Sequence, residues 1–527
     1  MSELTGTATL TRFALRRDRV RILVWIGAIV VLVVSTAASV KGLYPTQADL
    51  DSAARAAEDN AAAIAFNGPP YGLDTVGGQV AFQVGAFGLI VMALMSVFTV
   101  GRLTRAEEED GRTDLVLAMA VGRHAPTAAA LIVAVGMNLV VGALVTLGLM
   151  GQDLPTAGSV AFGLSFALLG LAFAGVATVA AQITENTRVV YGASGTVLGA
   201  AFVLRAAGDV GGGELSWLSP IGWAQKTRPY AGETWWPLLL LVALTALLAW
   251  GALVLANRRD IGAGLVPPRP GPATASPALG SPLGVALRLQ RGSLIAWSVG
   301  ILLTGVAYGS VGNDIQDLLG DNEALNDMIA RAGGGDIVDS FLATSLLMLA
   351  LMGSGFAVQS ALRLRTEETA QRAEPILAAP VSRARWAVSH LAIALAGSVV
   401  VLLAAGLGTG VTYGIVAGDM GRVPGMVGGA LAYVPAMWLL VGLAFAVFGL
   451  LPRAVLVLWG VLGLCFVVGL LDEVLDLPAW VSDLSPFEHV PLLPAADMQA
   501  APLLVLAAGA AVLGSVGFTS FRHRDIG

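Results

Sequence analysis

Long stretches of this chain carry no charge, and they recur at the length of a membrane-crossing helix. Residues 22–40 are nineteen in a row without a charged side chain. At 1.5 Å per residue a helix of that length nearly crosses a hydrocarbon core about 30 Å thick. Similar runs predict further spans over about 80–101, 126–150, 157–181, 189–204 and 237–256, then 294–312, 341–358, 386–413, 426–451, 454–471 and 501–518. Between them lie short polar turns (151–155, 184–188) and a polar, acidic stretch at 41–79. Residues 205–236 read as too irregular to cross, with three consecutive glycines, Leu218-Ser219-Pro220 and a Trp235-Trp236 pair. A cleaved signal peptide is the rival reading of the first run. It is disfavoured because LRRDRVRILVW, ending at Trp25, recurs as LRLQRGSLIAW, ending at Trp297.

The whole pattern is written twice. Residues 105–123, RAEEEDGRTDLVLAMAVGR, and 365–383, RTEETAQRAEPILAAPVSR, are charged islands between apolar runs, 260 positions apart. Arg105 matches Arg365, Glu107 and Glu108 match Glu367 and Glu368, Arg112 matches Arg372, Asp114 meets Glu374 and Arg123 meets Arg383. Leu218-Ser219-Pro220 is answered by Leu484-Ser485-Pro486, and Arg259-Asp260-Ile261-Gly262 by Arg524-Asp525-Ile526-Gly527. The expected fold is therefore an all-α polytopic membrane protein, with twelve transmembrane helices as two parallel six-helix repeats. Residues 1–262 form the first half, 263–282 a linker with six prolines, and 283–527 the second half.

Composition agrees: 56% of residues are hydrophobic and 13% charged, where soluble domains carry about a quarter. Mean hydropathy is +0.78. The net charge of −6 says little for a chain mostly in lipid, and no nucleic-acid partner is expected. The distribution of charge says more. Of 30 Lys and Arg, 23 fall in the segments on one side, which places both islands and both termini in the cytoplasm of a multi-pass bacterial cell-membrane protein. Acids such as Asp314, Asp317, Asp321, Glu323 and Asp327 crowd the other side.

Catalytic and cofactor motifs are missing. The single cysteine, Cys465, sits in an apolar run and reads as a core residue; it excludes an internal disulfide. The four histidines are scattered without an HExxH. No GxxxxGKS or GxxxxGKT occurs, so the chain has no such loop to cradle a nucleotide. No metal, cofactor or catalytic residue is expected in this chain. Within the islands, Glu108–Arg112 and Glu368–Arg372 stand at i, i+4, the spacing of helix-stabilising pairs. Leu115, Ala118 and Met119, with Ile376 and Ala379 in the second copy, predict an apolar stripe on a short amphipathic helix. A merely solvated, positive-inside loop is the plainer alternative. Topology alone, however, does not require paired glutamates twice.

The chain resembles the permease subunits of bacterial ABC exporters of the type-2 class, and more narrowly the large duplicated actinobacterial permeases for polyketide antibiotics and other drugs. The resemblance covers essentially the whole chain. It rests on the basic run before the first span, YPTQADL at 44–50, the RxEExxGR island, LSP before the sixth span and the RRDIG end. The second half departs from it, lacking YPTQ and carrying Gln371 where Gly111 stands. The resemblance implies a coupling helix in each island, seated in a cleft of a nucleotide-binding subunit. Its positions here are Glu107, Glu108, Arg112 and Asp114, with Glu367, Glu368, Arg372 and Glu374. It further implies connecting helices at about 10–21 and 283–293, and short re-entrant helices between the fifth and sixth spans. Two copies of an ATPase subunit, binding ATP and magnesium, would drive export of a lipophilic cargo drawn from the bilayer.

Two other classes compete. A proton-driven multidrug antiporter is compatible with six-plus-six halves, but such machines keep ionisable groups inside their spans. The predicted spans hold no Asp, Glu, Lys or Arg, and only His390. Asn138 is otherwise their most polar mid-span residue, and reads as a bridge between helices. A membrane-embedded transferase would need a carboxylate or histidine cluster that no spacing supports.

Overall fold

The computed structural model describes residues 2–58, 61–260, 262–267, 271–311, 337–475 and 478–524. Every regular element among them is helical, as lipid demands of a single chain whose backbone must satisfy its own hydrogen bonds. Eleven of these helices are long and apolar enough to cross a membrane. A further apolar helix, Val457–Leu475, falls on the remaining expected span, and its described apolar part is Val457–Gly469. The acids expected on the outer side, Asp314, Asp317, Asp321, Glu323 and Asp327, lie outside the described residues. The chain divides into two compact units, Met1–Gly271 and Pro272–Gly527.

In the first unit, α1 (Thr7–Arg17) breaks at Asp18 and resumes as α2 (Arg19–Leu43). After α3 (Gln47–Glu58) and α4 (Ala61–Asn67) comes the span α5 (Val76–Gly101). A π-turn, Arg102–Ala106, carries it into α6 (Glu107–Glu109), and α7 (Arg112–Leu117) follows. The spans α8 (Ala125–Met150), α9 (Thr156–Ile183) and α10 (Thr187–Val210) precede the short α11 (Pro220–Gln225) and the closing span α12 (Pro237–Ala256). Helix α9 is the centre of the unit and packs on α5, α8 and α12. Its glycines permit this: a Cβ on Gly163 would lie 2.5 Å from the Gly142 carbonyl of α8. Asn138 of α8 does bridge helices, its amide donating to Ser96 of α5 at 2.9 Å.

The second unit runs α13 (Pro282–Val311), α14 (Ile337–Ala361), α15 (Arg363–Thr369), α16 (Ala373–Ala378), α17 (Arg383–Val416), α18 (Val423–Ala432), α19 (Val434–Leu450), α20 (Val457–Leu475), α21 (Ala479–Ser482) and α22 (Ala500–His523). Helix α13 packs along α17, and α19 along α22. The single span expected over 426–451 is bent between α18 and α19 at Tyr433. Pro435 lacks the N–H that a continuous helix would use there.

Three expectations are corrected. The connecting segment and first span are separate helices in the first unit but one helix, α13, in the second. Asp18 explains the break: its carboxylate accepts from Arg102 Nε at 3.1 Å and Nη2 at 3.0 Å. At the matching position in the second unit, Gln290 is buried between Ser360 and His390 and holds no charge. Secondly, the fifth span does not end before Arg205. Helix α10 continues to Val210, so a transmembrane-length helix does contain two ionisable side chains, Arg205 and Asp209, 3.6 Å apart and buried. Arg205 also donates to the Ile64 and Phe66 carbonyls at 3.3 and 3.0 Å, tying α10 to α4. Thirdly, neither island is one continuous helix.

Candidate functional site

Each island breaks at the same place for the same conformational reason. Gly111 sits at φ 71° and Gln371 at φ 56°, both left-handed, and each backbone N–H closes on the glutamate three residues earlier, at 3.0 Å. Glycine adopts this conformation freely, whereas Gln371 does so against its Cβ. The island is thus two short helical pieces with a corner between them. The corner cancels the i, i+4 geometry, so Glu108–Arg112 and Glu368–Arg372 do not pair.

The pairs that form instead are shifted by one residue. Arg112 binds Glu107 at 3.2 Å and Asp110 at 3.1 Å. Arg372 binds Glu367 at 2.8 Å. Glu107 also accepts from Arg17 of α1 at 3.1 Å, which fastens the connecting helix to the island. Burial lowers the affinity of Arg17 for its proton, but the hydrogen bonds and charges of Glu107 and Asp18 together outweigh it and the net pKa is raised. In the second unit Glu367 takes Arg363 as its other partner, at 2.6 Å.

Glu108 and Glu368 point inward, and each meets the arginine that closes its own half. Arg259 forks onto Glu108 with Nη1 to Oε2 at 3.0 Å and Nη2 to Oε1 at 2.8 Å, with side chains only 8% and 9% exposed. Arg524 Nη2 reaches both oxygens of Glu368 at 2.7 and 2.8 Å. Arg123 and Arg383, the last matched residues of the islands, donate to the backbone carbonyls of Arg259 and Arg524. The end of the sixth span of each unit is therefore clasped to its island by a buried ion pair and a backbone hydrogen bond.

The first clasp is the more enclosed. Arg105, fully buried, binds Glu108 at 2.6 Å and spends its other donors on the carbonyls of Ala181, Gly262 and Ala263. Arg259 Nε donates to Gln182 Oε1 at 2.6 Å. Residues following the clasp lie along the end of α9, with Leu265 and Val266 N–H bonded to the Gln182 and Ile183 carbonyls at 3.1 and 2.9 Å. In the second unit Arg365, 27% exposed, stands 3.5 Å from Glu368.

What each island leaves to solvent is its second piece. Asp114, Leu115, Ala118 and Met119 are exposed, Leu115 at 74% and Met119 at 72%. Glu374, Pro375, Ala378 and Ala379 are exposed at the matched positions. Of the eight candidate site residues, Asp114, Glu374, Arg112 and Arg372 are open, while Glu108, Glu367 and Glu368 are internal and Glu107 is half-buried. Sequence reasoning missed Arg105, Arg259, Gln182, Arg365 and Arg524. For Arg259 and Arg524 the signal was the duplicated RDIG, which recurs at the end of each half without a topological need for it, and for Arg105 and Arg365 it was their matched places in the islands.

Elsewhere the candidate chemistry is sparse. Cys465 is buried, and no group of three or more His, Cys, Asp or Glu suited to a metal occurs among the described residues. Trp217 and Trp236 stack at 5.0 Å beside the exposed Trp235.

Comparison with known proteins places this architecture. A family described as the C-terminal domain of the multidrug efflux system permease Rv1217c matches residues 279–522. The multidrug efflux system permease protein Rv1217c of Mycobacterium tuberculosis is 44% identical over 528 residues, covering 100% of this chain and 96% of that protein. The clasped, doubly written islands and the bundle of apolar helices are features of a chain that belongs to the multidrug efflux permease family of Rv1217c.

Proposed function

We propose that this protein is the membrane-spanning permease of an efflux system that expels lipophilic drugs, driven by two copies of a separate ATPase subunit docked on the islands from the cytoplasm. The observation that carries this reading is the exposed strip on α7 and α16. Each presents one acid followed by small or apolar residues, and each is held on a corner by buried ion pairs. An apolar strip in water needs a partner, and a strip rigidly fastened to the last span can transmit a push to it. ATP and magnesium would sit in the partner. Asp114 and Glu374 are the contact residues of this reading. Glu107–Arg112 and Glu367–Arg372 shape the corner, and Glu108 and Glu368 transmit through the clasp.

A proton-driven antiporter would need a carboxylate free to exchange its proton. Asp209, the buried acid of α10, is instead engaged by Arg205 and by the Ser216 hydroxyl.

The test is reconstitution of the permease with its companion ATPase in vesicles. Replacing Leu115 by Glu together with Glu374 by Arg should leave the permease folded while drug-stimulated ATP turnover and export fall together. Export that proceeds unchanged in this variant, or on a proton gradient without ATP, would defeat the proposal.

A further inference from the structure

The two clasps are built alike but filled differently, and the difference leaves a basic recess in the second unit. In the first unit the side of the clasp toward Arg105 is filled by the chain itself, with the Gly262 and Ala263 carbonyls on Arg105 and the Leu265 and Val266 N–H groups bonded to the end of α9. There Arg105 is saturated by backbone carbonyls and Arg259 by Gln182 and Ala263. In the second unit the corresponding space is a cavity of about 490 Å³. It is lined by Arg365, Arg453, Arg524 and Glu368, with Leu450 and Leu451 at its edge.

Three guanidiniums face one carboxylate, and among the described residues the donors of Arg365 and Arg453 are largely unspent. Among the described residues Arg365 has only the 3.5 Å approach to Glu368. Arg524 uses one nitrogen on Glu368 and one on the Phe448 carbonyl, at 3.0 Å, and its buried Nε has no partner among the described residues. Arg453 makes no hydrogen bond or ion pair among the described residues. Each guanidinium carries five N–H donors in a planar fork suited to an oxyanion. The first unit shows what such a site demands: acceptor oxygens that saturate the forks.

We propose that this cavity binds the phosphoryl headgroup of an anionic phospholipid. The charge balance calls for an anion rather than a neutral acceptor. Exposed apolar residues beside the cavity, Leu450, Leu451, Leu456 and Val457, together with the half-exposed Trp459, give acyl chains a surface to lie on. A basic recess between helices at the end of their spans, rimmed by aliphatic and aromatic side chains, is the arrangement that captures lipid phosphate. The ligand would take the place that carbonyls and Gln182 occupy in the first unit, and so stiffen the second clasp.

The experiment uses the full chain, purified in detergent and titrated with phosphatidylglycerol or with phosphatidylcholine of the same acyl chains. Bound lipid is counted by native mass spectrometry and stabilisation is followed by thermal unfolding. Transport and ATPase activity are not read, so the outcome stands apart from the ATPase reading. Arg453→Gln is the principal variant, because Arg453 makes no hydrogen bond or ion pair among the described residues; Arg188→Gln, exposed in the first unit, is the control. Phosphatidylglycerol should bind and stabilise the wild type and the control, and bind Arg453→Gln about tenfold more weakly, the effect of losing one charge-assisted contact. Equal retention of the two lipids, or unchanged binding in Arg453→Gln, overturns the assignment. So does inorganic phosphate producing the same stabilisation without lipid, which would make the ligand a free anion.

Discussion

Replacing Glu108 by glutamine should be among the most damaging single polar substitutions in the first unit. The carboxylate is the counter-ion of two guanidiniums, Arg105 at 2.6 Å and Arg259 through a two-pronged contact, and all three groups are nearly sealed from water. Breaking a buried ion pair by removing one partner costs about 3–5 kcal/mol, because the other charge is left uncompensated. Arg259→Gln should cost less, about 1.5–3 kcal/mol, since Glu108 keeps Arg105. The double variant should fall short of the sum of the two by about 1–3 kcal/mol, the usual coupling of groups in direct contact. Asp114→Asn, on the exposed strip six residues away, should stay within about 0.5 kcal/mol of wild type. The assay is denaturant or thermal unfolding of the purified chain, read by tryptophan fluorescence. Additive effects of Glu108→Gln and Arg259→Gln, or an Asp114→Asn variant as unstable as Glu108→Gln, would refute the clasp. It follows that charge reversal at Glu108 and Glu368 probes the fold first, and that coupling to a partner is better examined on α7 and α16.

Other consequences are simpler to check. Gly111→Ala should destabilise by about 1–2 kcal/mol, the cost of a Cβ at positive φ, because nothing lies within 4 Å of the added atom; Gln371→Gly should be neutral or mildly stabilising in the same unfolding assay. Burial would raise the Asp18 carboxyl, but hydrogen bonds and charge from Arg102, then Arg17, hold it below its ordinary value. Its stabilisation is therefore complete above about pH 3.9 and lost as pH falls through the lowered folded value, so the gap in stability between wild type and Asp18→Asn should close only in strong acid. Gly517→Ala would put a Cβ 2.7 Å from the Phe445 backbone and force α22 off α19, with an expected loss of about 1–3 kcal/mol measurable by unfolding.

The spans were legible because lipid imposes one rule, a charge-free run of helical length, and most observed helices start or end within a few residues of the uncharged runs. The exceptions have local causes. Helix α10 runs on past Leu204 because Arg205 and Asp209 neutralise each other inside it and Arg205 finds carbonyls on α4. Helix α13 absorbs its connecting segment because Gln290 is neutral where Asp18 is charged. At the islands the residues were legible but their pairing was not. The i, i+4 rule presumes a continuous helix, and a single left-handed residue, announced by Gly111 but hidden by Gln371, shifts each partner by one. The clasp joins residues more than 150 positions apart, such as Glu108 and Arg259. No local spacing encodes that contact; only the duplication of both motifs hinted at it.

The clasp also explains why the islands carry more glutamates than membrane topology requires. A positive-inside loop needs only arginine, and arginines alone, brought under the ends of apolar helices, would repel one another and lack acceptors. One glutamate per island converts two of them, Arg105 with Arg259 or Arg365 with Arg524, into the bond between the island and the last span. A second glutamate, Glu107 or Glu367, takes the arginine beyond the corner and fixes the angle at which the exposed piece leaves. Inward and outward roles thus fall on adjacent residues of a helical turn, about 100° apart around its axis. That division of labour needs two consecutive glutamates, which is what both islands contain.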